Sequence, residues 1–470
     1  MNTVEQMRLF MEPQSIAIIG VSRKAEEGSW TVVGNLLSLG FKGKIYPVNP
    51  KAEQILGVKA YPNLQSIPGD IDLAVVATPR FVAIEGVKEC VERGIKAIVV
   101  VAQGYADSDE EGKRMQRELT RIAADGGARI IGPNTFGVAN AFCNLSTSFA
   151  PFSLTKSPIG MICQTGLFFP GLSRSGCGKI VDLGNTCDID AADALEYFCD
   201  DPDIKVINVH MEGLEAGEKF LRSVKKVVTK KPIIILKTAR SERGAEAAQS
   251  HTGALTGKDE VYGAVFKQHG IIRVDDVEEL EDVSLAFLKI PVMKGPDVAI
   301  MSWAGSTGVM AVDACEKYGL KVATLSSEAQ SRIRELSPPD WLPVGNPVDI
   351  WACIGLRGFR PQDFKNGIRT ILEVLLAEEG THAVLAVIFD YLEIFDSDIW
   401  DMSHVAGEVA EKFKDKPIAF VLMGPRGKLY TKLENLDTVA AYPSYDRAVK
   451  ALAKVREYGE FLNRTLTLHK

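Results

Sequence analysis

The chain holds only six histidines in 470 residues, and no apolar run approaches the ~18–20 residues of a bilayer-crossing helix. No membrane span is therefore expected. Its opening residues, Met1-Asn2-Thr3-Val4-Glu5-Gln6, lack a basic region followed by an apolar stretch, so no signal peptide is expected. Neither G-x-G-x-x-G nor G-x-x-x-x-G-K-[ST] occurs. The first absence, with no ribose-binding acid after the second strand candidate, disfavours a nicotinamide dehydrogenase. The second removes the P-loop as a nucleotide site. An excess of basic charge is also missing. The net charge of −7 and the isoelectric point near 5.6 argue against a partner that is nucleic acid or an anionic membrane. The eight cysteines fall into no C-x-x-C or Cys/His ligand spacing. They read as reduced, mostly buried small hydrophobes of a cytoplasmic protein, with no metal site.

What is present is ordinary globular material, 46% hydrophobic and 24% charged, at a length that supports two to four domains. Short β-branched runs alternate with amphipathic segments. Strands are expected at 15–19, 44–48, 73–77, 97–101 and 129–131, then at 159–163, 179–182, 206–211 and 233–236. A third series runs through 298–302, 322–325, 383–389 and 418–423. A helix is expected over 82–93, with Val82, Ile84, Val87 and Val91 as its apolar positions. Continuous apolar strands separated by helices imply parallel sheets covered on both faces. The expected fold is α/β, with three consecutive doubly wound domains at residues 1–150, 151–292 and 293–470. The second and third series share Gly-Asn-x-x-Asp-Ile, at residues 184–189 and 345–350, as two copies of one domain would. Ligands are expected at the carboxyl ends of the strands.

Those ends carry phosphate-handling chemistry. The first strand runs into Gly20-Val21-Ser22-Arg23-Lys24, a hydroxyl and two cations behind a glycine. The next strands end in Asn49-Pro50-Lys51, Thr78-Pro79, Gln103-Gly104 and Gly132-Pro133-Asn134. A long ligand laid across one edge of the first domain would meet all of them. Further on, Ser250-His251-Thr252-Gly253-Ala254-Leu255-Thr256-Gly257 sets a histidine among hydroxyls and glycines, on what reads as a small, flexible loop. A phosphoryl-carrying imidazole needs room for three oxygens and close backbone amides. Each feature taken alone has a plainer reading: His251 as a chance histidine in a surface turn, Glu212 as a strand-end acid, Lys51 as a solvated lysine.

The order of these motifs resembles one family. The matching pieces are Met11-Glu12-Pro13-Gln14-Ser15-Ile16-Ala17-Ile18-Ile19-Gly20, Gly43-Lys44-Ile45-Tyr46-Pro47-Val48-Asn49-Pro50 and Ile130-Ile131-Gly132-Pro133-Asn134. Lys237-Thr238-Ala239-Arg240, the His251 segment and Val344-Gly345-Asn346-Pro347-Val348-Asp349 follow. Residues 11–290 resemble the α subunit of the succinyl-CoA synthetase superfamily, and the whole chain resembles the α chain of ADP-forming acyl-CoA (acetate–CoA) ligases. The resemblance implies a Rossmann-like CoA-binding domain followed by two flavodoxin-like domains. It implies that CoA is held by Gly20, Ser22, Arg23, Lys51, Thr78, Pro79, Gln103 and Asn134. It makes His251 the phosphorylated histidine, and Glu212 the acid that orients and polarises the imidazole so that its other nitrogen attacks. Gln164, Thr165 and Gly166 become the phosphate turn, opening a helix whose N-terminus favours an anion. A separate ATP-grasp β subunit, carrying ATP or ADP with Mg, is implied in an αβ or α2β2 assembly, with an organic acid or its CoA thioester as substrate. A CoA-binding regulatory chain without turnover is the alternative.

The chain also departs from that pattern. Cys163-Gln164-Thr165-Gly166 stands where relatives show Ser-x-Ser-Gly or Gln-Ser-Gly, and the segment after it is short and interrupted by Pro170. Phe168 and Phe169 are bulky where relatives are small, in a region the resemblance assigns to the acyl site, so the acid need not be acetate. Trp303 likewise occupies a turn that is small in relatives.

Overall fold

Runs of buried β-branched residues make the strands, because a strand covered by helices on both faces has no solvent side on which to alternate. The computed structural model describes residues 1–26, 28–252, 258–354, 360–424 and 426–468, without the side chains of 249–252 and 468. The chain divides into two compact units, Met1–Asp276 and Val277–Lys470.

The first unit contains two large sheets and a small hairpin among the described residues. Strands β1 (Ser15–Ile19), β2 (Lys44–Val48), β5 (Leu73–Val76), β6 (Ala97–Val100) and β7 (Arg129–Ile131) form one, parallel throughout, in the order β2-β1-β5-β6-β7. A two-stranded hairpin, β3 (Gln54–Ile55) with β4 (Val58–Lys59), follows β2. The second sheet is β14-β13-β12-β10-β11-β8-β9. Its parallel strands are β10 (Ile159–Cys163), β11 (Lys179–Asp182), β12 (Val206–Met211), β13 (Ile233–Lys237) and β14 (Ile272–Val274). Strands β8 (Val138–Asn140) and β9 (Leu145–Ser146) extend it antiparallel beside β11. These two lie before residue 150 in the chain yet belong to the second sheet.

The second unit has one sheet of β15 (Asp297–Ser302), β16 (Lys321–Val322), β18 (Ala383–Phe389), β19 (Ile418–Met423) and β20 (Ala440–Tyr442), with β17 (Val348–Asp349) paired to the end of β15. Helices Val277–Lys289 and Tyr445–Leu468 pack together, and Arg447 Nε donates to Asp282 at 2.5 Å between them.

Counting only the five main parallel strands, all three sheets share the order 2-1-3-4-5. The order reverses between the first and third strands, and the crevice at that reversal is where an open α/β sheet binds ligands. The switch points are β1/β5, β10/β12 and β15/β18.

The helix expected over 82–93 spans Arg80–Glu92, but its buried face differs from the expected one. Ala83, Gly86, Val87 and Cys90 are buried, whereas Val82 is 54% exposed. Small residues let the helix sit close: a Cβ on Gly86 would lie 3.2 Å from Val76 Cγ1.

In the first unit the two sheets are clamped at both ends of β7. Arg129, on β7, pairs with Asp188 at 2.7 Å and with Asp193 at 3.0 Å. Gly184, just past β11, has φ +54, and a Cβ there would stand 2.3 Å from Pro133 O and 2.5 Å from Asn134 O. Gly184→Ala is expected to cost about 1–3 kcal/mol through overpacking and a left-handed backbone. Urea unfolding of the full chain measures it; an unchanged midpoint would show that this approach does not hold the sheets.

Candidate functional site

At the first switch point, β1 turns into Gly20 at φ +94, where a Cβ would meet Thr78 Cγ2 at 2.6 Å and Ala77 O at 2.8 Å. Only glycine permits that approach. Ser22 Oγ accepts from the Lys24 N–H at 3.2 Å, and Asn49 Nδ2 donates to Val21 O at 2.8 Å. The Asn49 side chain accepts from Lys51 N at 2.8 Å, so the ends of β1 and β2 are fixed to each other. The side chains of Arg23 and Lys51 are exposed beside them. Pro79 caps the helix Arg80–Glu92 without a side-chain bond, and Thr78 Oγ1 is buried with no partner among the described residues. A glycine cradle, two exposed cations, a helix N-terminus and a buried hydroxyl with no partner among the described residues fit a polyphosphate-bearing ligand such as CoA.

The last two turns of that sheet lead to the second. Asn134 adopts φ +60; its N–H bonds Ala102 O and its Nδ2 donates to Asn185 Oδ1 at 3.2 Å. Gln103 and Asn134 then line one cavity of about 540 Å³ together with Gln164, Thr165 and Gly166. The structure thus brings two residues of the expected CoA set and all three of the expected phosphate turn onto one space. Gly20, Ser22, Arg23, Lys51, Thr78 and Pro79 stand at the other ends of the same sheet and do not line it.

At the second switch point, Gln164 follows β10 and Glu212 follows β12. The Gln164 side-chain oxygen accepts from Glu212 N at 2.7 Å and from Gly213 N at 3.4 Å, and its Nε2 donates to Thr186 Oγ1 at 3.4 Å. Its amide is therefore committed to holding the Glu212 backbone. Thr186 sits at φ +56, a strained conformation for a β-branched residue and of a kind that gathers at functional sites. Thr165 Oγ1 accepts from Leu167 N at 3.4 Å and opens only a 3-10 turn, Gly166–Phe168. The α-helix expected there does not form, because Pro170 and Gly171 (φ +80) break it after one turn.

Lys237 ends β13 almost fully buried, its ammonium donating to Glu212 O at 2.7 Å and to Thr238 O, 4.9 Å from the Tyr262 ring. Burial pulls its pKa down. Arg240 pairs with Asp275 at 2.6 Å, and Asp259 pairs with Arg273 at 2.6 Å, pinning both flanks of the His251 segment. The expected loop starts later than the sequence implied. The backbone at His251 lies in the last turn of helix Glu242–Thr252, since Ala245, Ala247 and Ala248 favour helix. The His251 side chain and residues 253–257 lie outside the described residues.

Two features had escaped the sequence reading. Phe136, Phe149 and Phe152 line the shared cavity. His210, two residues before Glu212 on β12, is 6% exposed, with Nε2 3.1 Å from Thr238 Oγ1 and Nδ1 without a partner among the described residues. Burial, with Lys237 adding repulsion, lowers its pKa to about 4. Asp182, at the end of β11, is pushed up to about 6 by burial, against N–H donation from Phe136 and Gly184. In the second unit the switch-point turn is filled: Trp303 is 7% exposed and packs on Tyr391 at 4.8 Å and Phe364 at 5.5 Å. Among the described residues no group of three His, Cys, Asp or Glu side chains is placed to hold a metal, and no helix is long and apolar enough to cross a membrane.

A CoA binding domain model matches residues 14–141, and a model described as a succinyl-CoA ligase like flavodoxin domain matches residues 156–287. The acetate–CoA ligase [ADP-forming] I subunit alpha of Pyrococcus furiosus is 33% identical over 97% of this chain and 98% of its own length. This chain belongs to the ADP-forming acetate–CoA ligase family, as an alpha-type chain. The ADP-forming acetate–CoA ligase II of Archaeoglobus fulgidus is 35% identical over 97% of this chain, which spans 68% of that longer protein. The fold agrees. A dinucleotide-forming acetyl-coenzyme A synthetase 1 of Ca. Korarchaeum cryptofilum, solved with phosphate and ADP, superposes with a TM-score of 0.86 at 27% identity, over 99% of both chains.

The buried His210 of this ligase-family chain gives a pH signature. A histidine whose folded pKa lies below its unfolded ~6.5 contributes stability that is complete above pH 6.5 and is lost as pH falls toward 4, by about 3 kcal/mol. Relative to wild type, His210→Asn should therefore lose less stability between pH 6.5 and 4, measured by chemical denaturation at stepped pH. Parallel pH profiles would show that His210 titrates normally.

Proposed function

We propose that the chain binds CoA along the first sheet and moves a phosphoryl group from an acyl phosphate to His251, for delivery to ADP on a separate ATP-grasp chain. In the direction that makes ATP, inorganic phosphate attacks the thioester carbonyl, the C–S bond breaks, and acyl phosphate and CoA form. An imidazole nitrogen of His251 then attacks phosphorus, and the P–O bond to the acid breaks, leaving the free carboxylate and phosphohistidine. ADP on the partner takes the phosphoryl group, and the nucleotide's Mg belongs there as well. Glu212 is the residue assigned to orient the imidazole. Thr165, Gly166 and the following amides are assigned to the phosphate, while Gln164 serves by fixing the backbone at Glu212.

One observation carries this reading most: a single cavity is shared by Gln103 and Asn134 from the first sheet and by the Thr165–Gly166 turn of the second. Thioester and phosphate have to meet somewhere, and these are the two sets of strand ends assigned to them. Division into domains at 1–150, 151–292 and 293–470, an αβ or α2β2 assembly and a cytoplasmic setting belong to the same proposal. A second reading, a CoA-binding chain that does not turn over, is favoured by one feature only. The phosphate turn opens a 3-10 turn, so fewer aligned amides face the anion.

Two measurements separate these readings. Calorimetry of the full chain should show saturable CoA binding, weakened about tenfold by Arg23→Ala through one lost charged phosphate contact. Purified chain alone should form no acyl-CoA from ATP, CoA and acid, whereas adding an ATP-grasp partner should start turnover that Glu212→Gln slows. Robust turnover without the partner would contradict the two-chain proposal, and CoA binding with no turnover under any pairing would favour the regulatory chain.

A further inference from the structure

The shared cavity is far larger than a two-carbon acyl group needs, and three phenylalanines, Phe136, Phe149 and Phe152, stand in its walls. Its volume of about 540 Å³ lies in the range of sites for drug-sized ligands. Phe136 joins the aromatic cluster, edge-on to Phe149 at 5.0 Å and 89°, and tilted against Phe152 at 5.8 Å and 43°. Phe169 closes the cluster behind, 5.5 Å from Phe136. Gly166 is what admits Phe136: a Cβ there would lie 2.6 Å from its ring. Phe149 and Leu167 remain partly open to solvent, 36% and 71% exposed, so the apolar wall reaches the mouth.

Several polar side chains of the cavity are already engaged. Asp182 accepts from Phe136 N at 2.8 Å, Thr135 Oγ1 donates to Asp182 O, and Gln164 and Asn134 hold backbone and Asn185 as described. No Lys or Arg is among its described lining residues. A second carboxylate on the acid would therefore meet Asp182 and no counter-charge, which disfavours a dicarboxylic acid. An apolar acid fits, and the ring spacings favour a flat one, because aromatic rings pair edge-to-face or offset with centroids ~4.5–7 Å apart.

We propose that this cavity takes the acyl group of an aromatic monocarboxylic acid, and that Phe136, Phe149 and Phe152 select it. The inference rests on the proposed function for its location: an acyl group bonded to CoA sulfur and attacked by phosphate must lie between the first-sheet turns and the Thr165–Gly166 turn.

The test is calorimetry of the full chain with CoA, acetyl-CoA, hexanoyl-CoA and phenylacetyl-CoA. Phenylacetyl-CoA should bind about tenfold tighter than acetyl-CoA, and also tighter than the equally apolar hexanoyl-CoA. The ratio of phenylacetyl-CoA to acetyl-CoA affinity should collapse in Phe149→Ala/Phe152→Ala and persist in the conservative Phe149→Tyr. Equal affinity for the acetyl and phenylacetyl thioesters overturns the proposal, as does a ratio that survives the double substitution. Hexanoyl-CoA binding as tightly as phenylacetyl-CoA overturns its aromatic part. Failure of CoA itself to bind would instead sink the proposed function, and this inference with it.

Discussion

The arrangement depends on one close approach, that of Gly184 to the backbone of Pro133 and Asn134. With no side chain at residue 184, the carbonyl oxygens of the first sheet's last turn come within what would be 2.3–2.5 Å of a Cβ. Around it Asn134 bonds Asn185, and Arg129 bonds Asp188 and Asp193. The Gly184 and Asn134 contacts join the carboxyl ends of the two sheets, and Arg129 ties the amino end of β7 to the segment after Gly184. The cavity holding Gln103, Asn134, Thr165 and Gly166 exists because the two are joined there.

Strand order explains why the chemistry gathers at those ends. A parallel sheet directs every carboxyl end to one side, and the reversal between first and third strands leaves a crevice. In the first sheet that crevice carries Gly20 and Thr78, and in the second Gln164 and Glu212. In the second unit Trp303 and its aromatic neighbours fill the equivalent turn. The same topology thus ends in an aromatic cluster there and in polar, glycine-bearing turns in the first unit.

Much of this was legible in the sequence, for physical reasons. Strands such as Ser15–Ile19 and Val206–Met211 are apolar from end to end, since both faces are covered, and their bounds were read directly. Strands of two or three residues, such as β9 and β17, are too short to carry a period. The glycine-bearing turns were visible because only glycine accommodates the backbone at residue 20. What stayed hidden was pairwise: that Gln164 spends its amide on Glu212 and Gly213, that Phe136 meets Phe149 and Phe152, and that His210 is buried against Thr238. The segment around His251 read as a small, flexible loop, yet the helix propensity of the alanines before it carries the backbone helix through residue 252.

The central claim is that phosphate reaches this chain covalently, on His251. The most direct test is incubation of the full chain with an acyl-CoA and radiolabelled inorganic phosphate, followed by peptide mass spectrometry. Acid-labile, base-stable label on His251, released as ATP when ADP and an ATP-grasp partner are added, is the predicted result. Thioester consumption that leaves His251 unlabelled, or label that persists in His251→Ala, would contradict it.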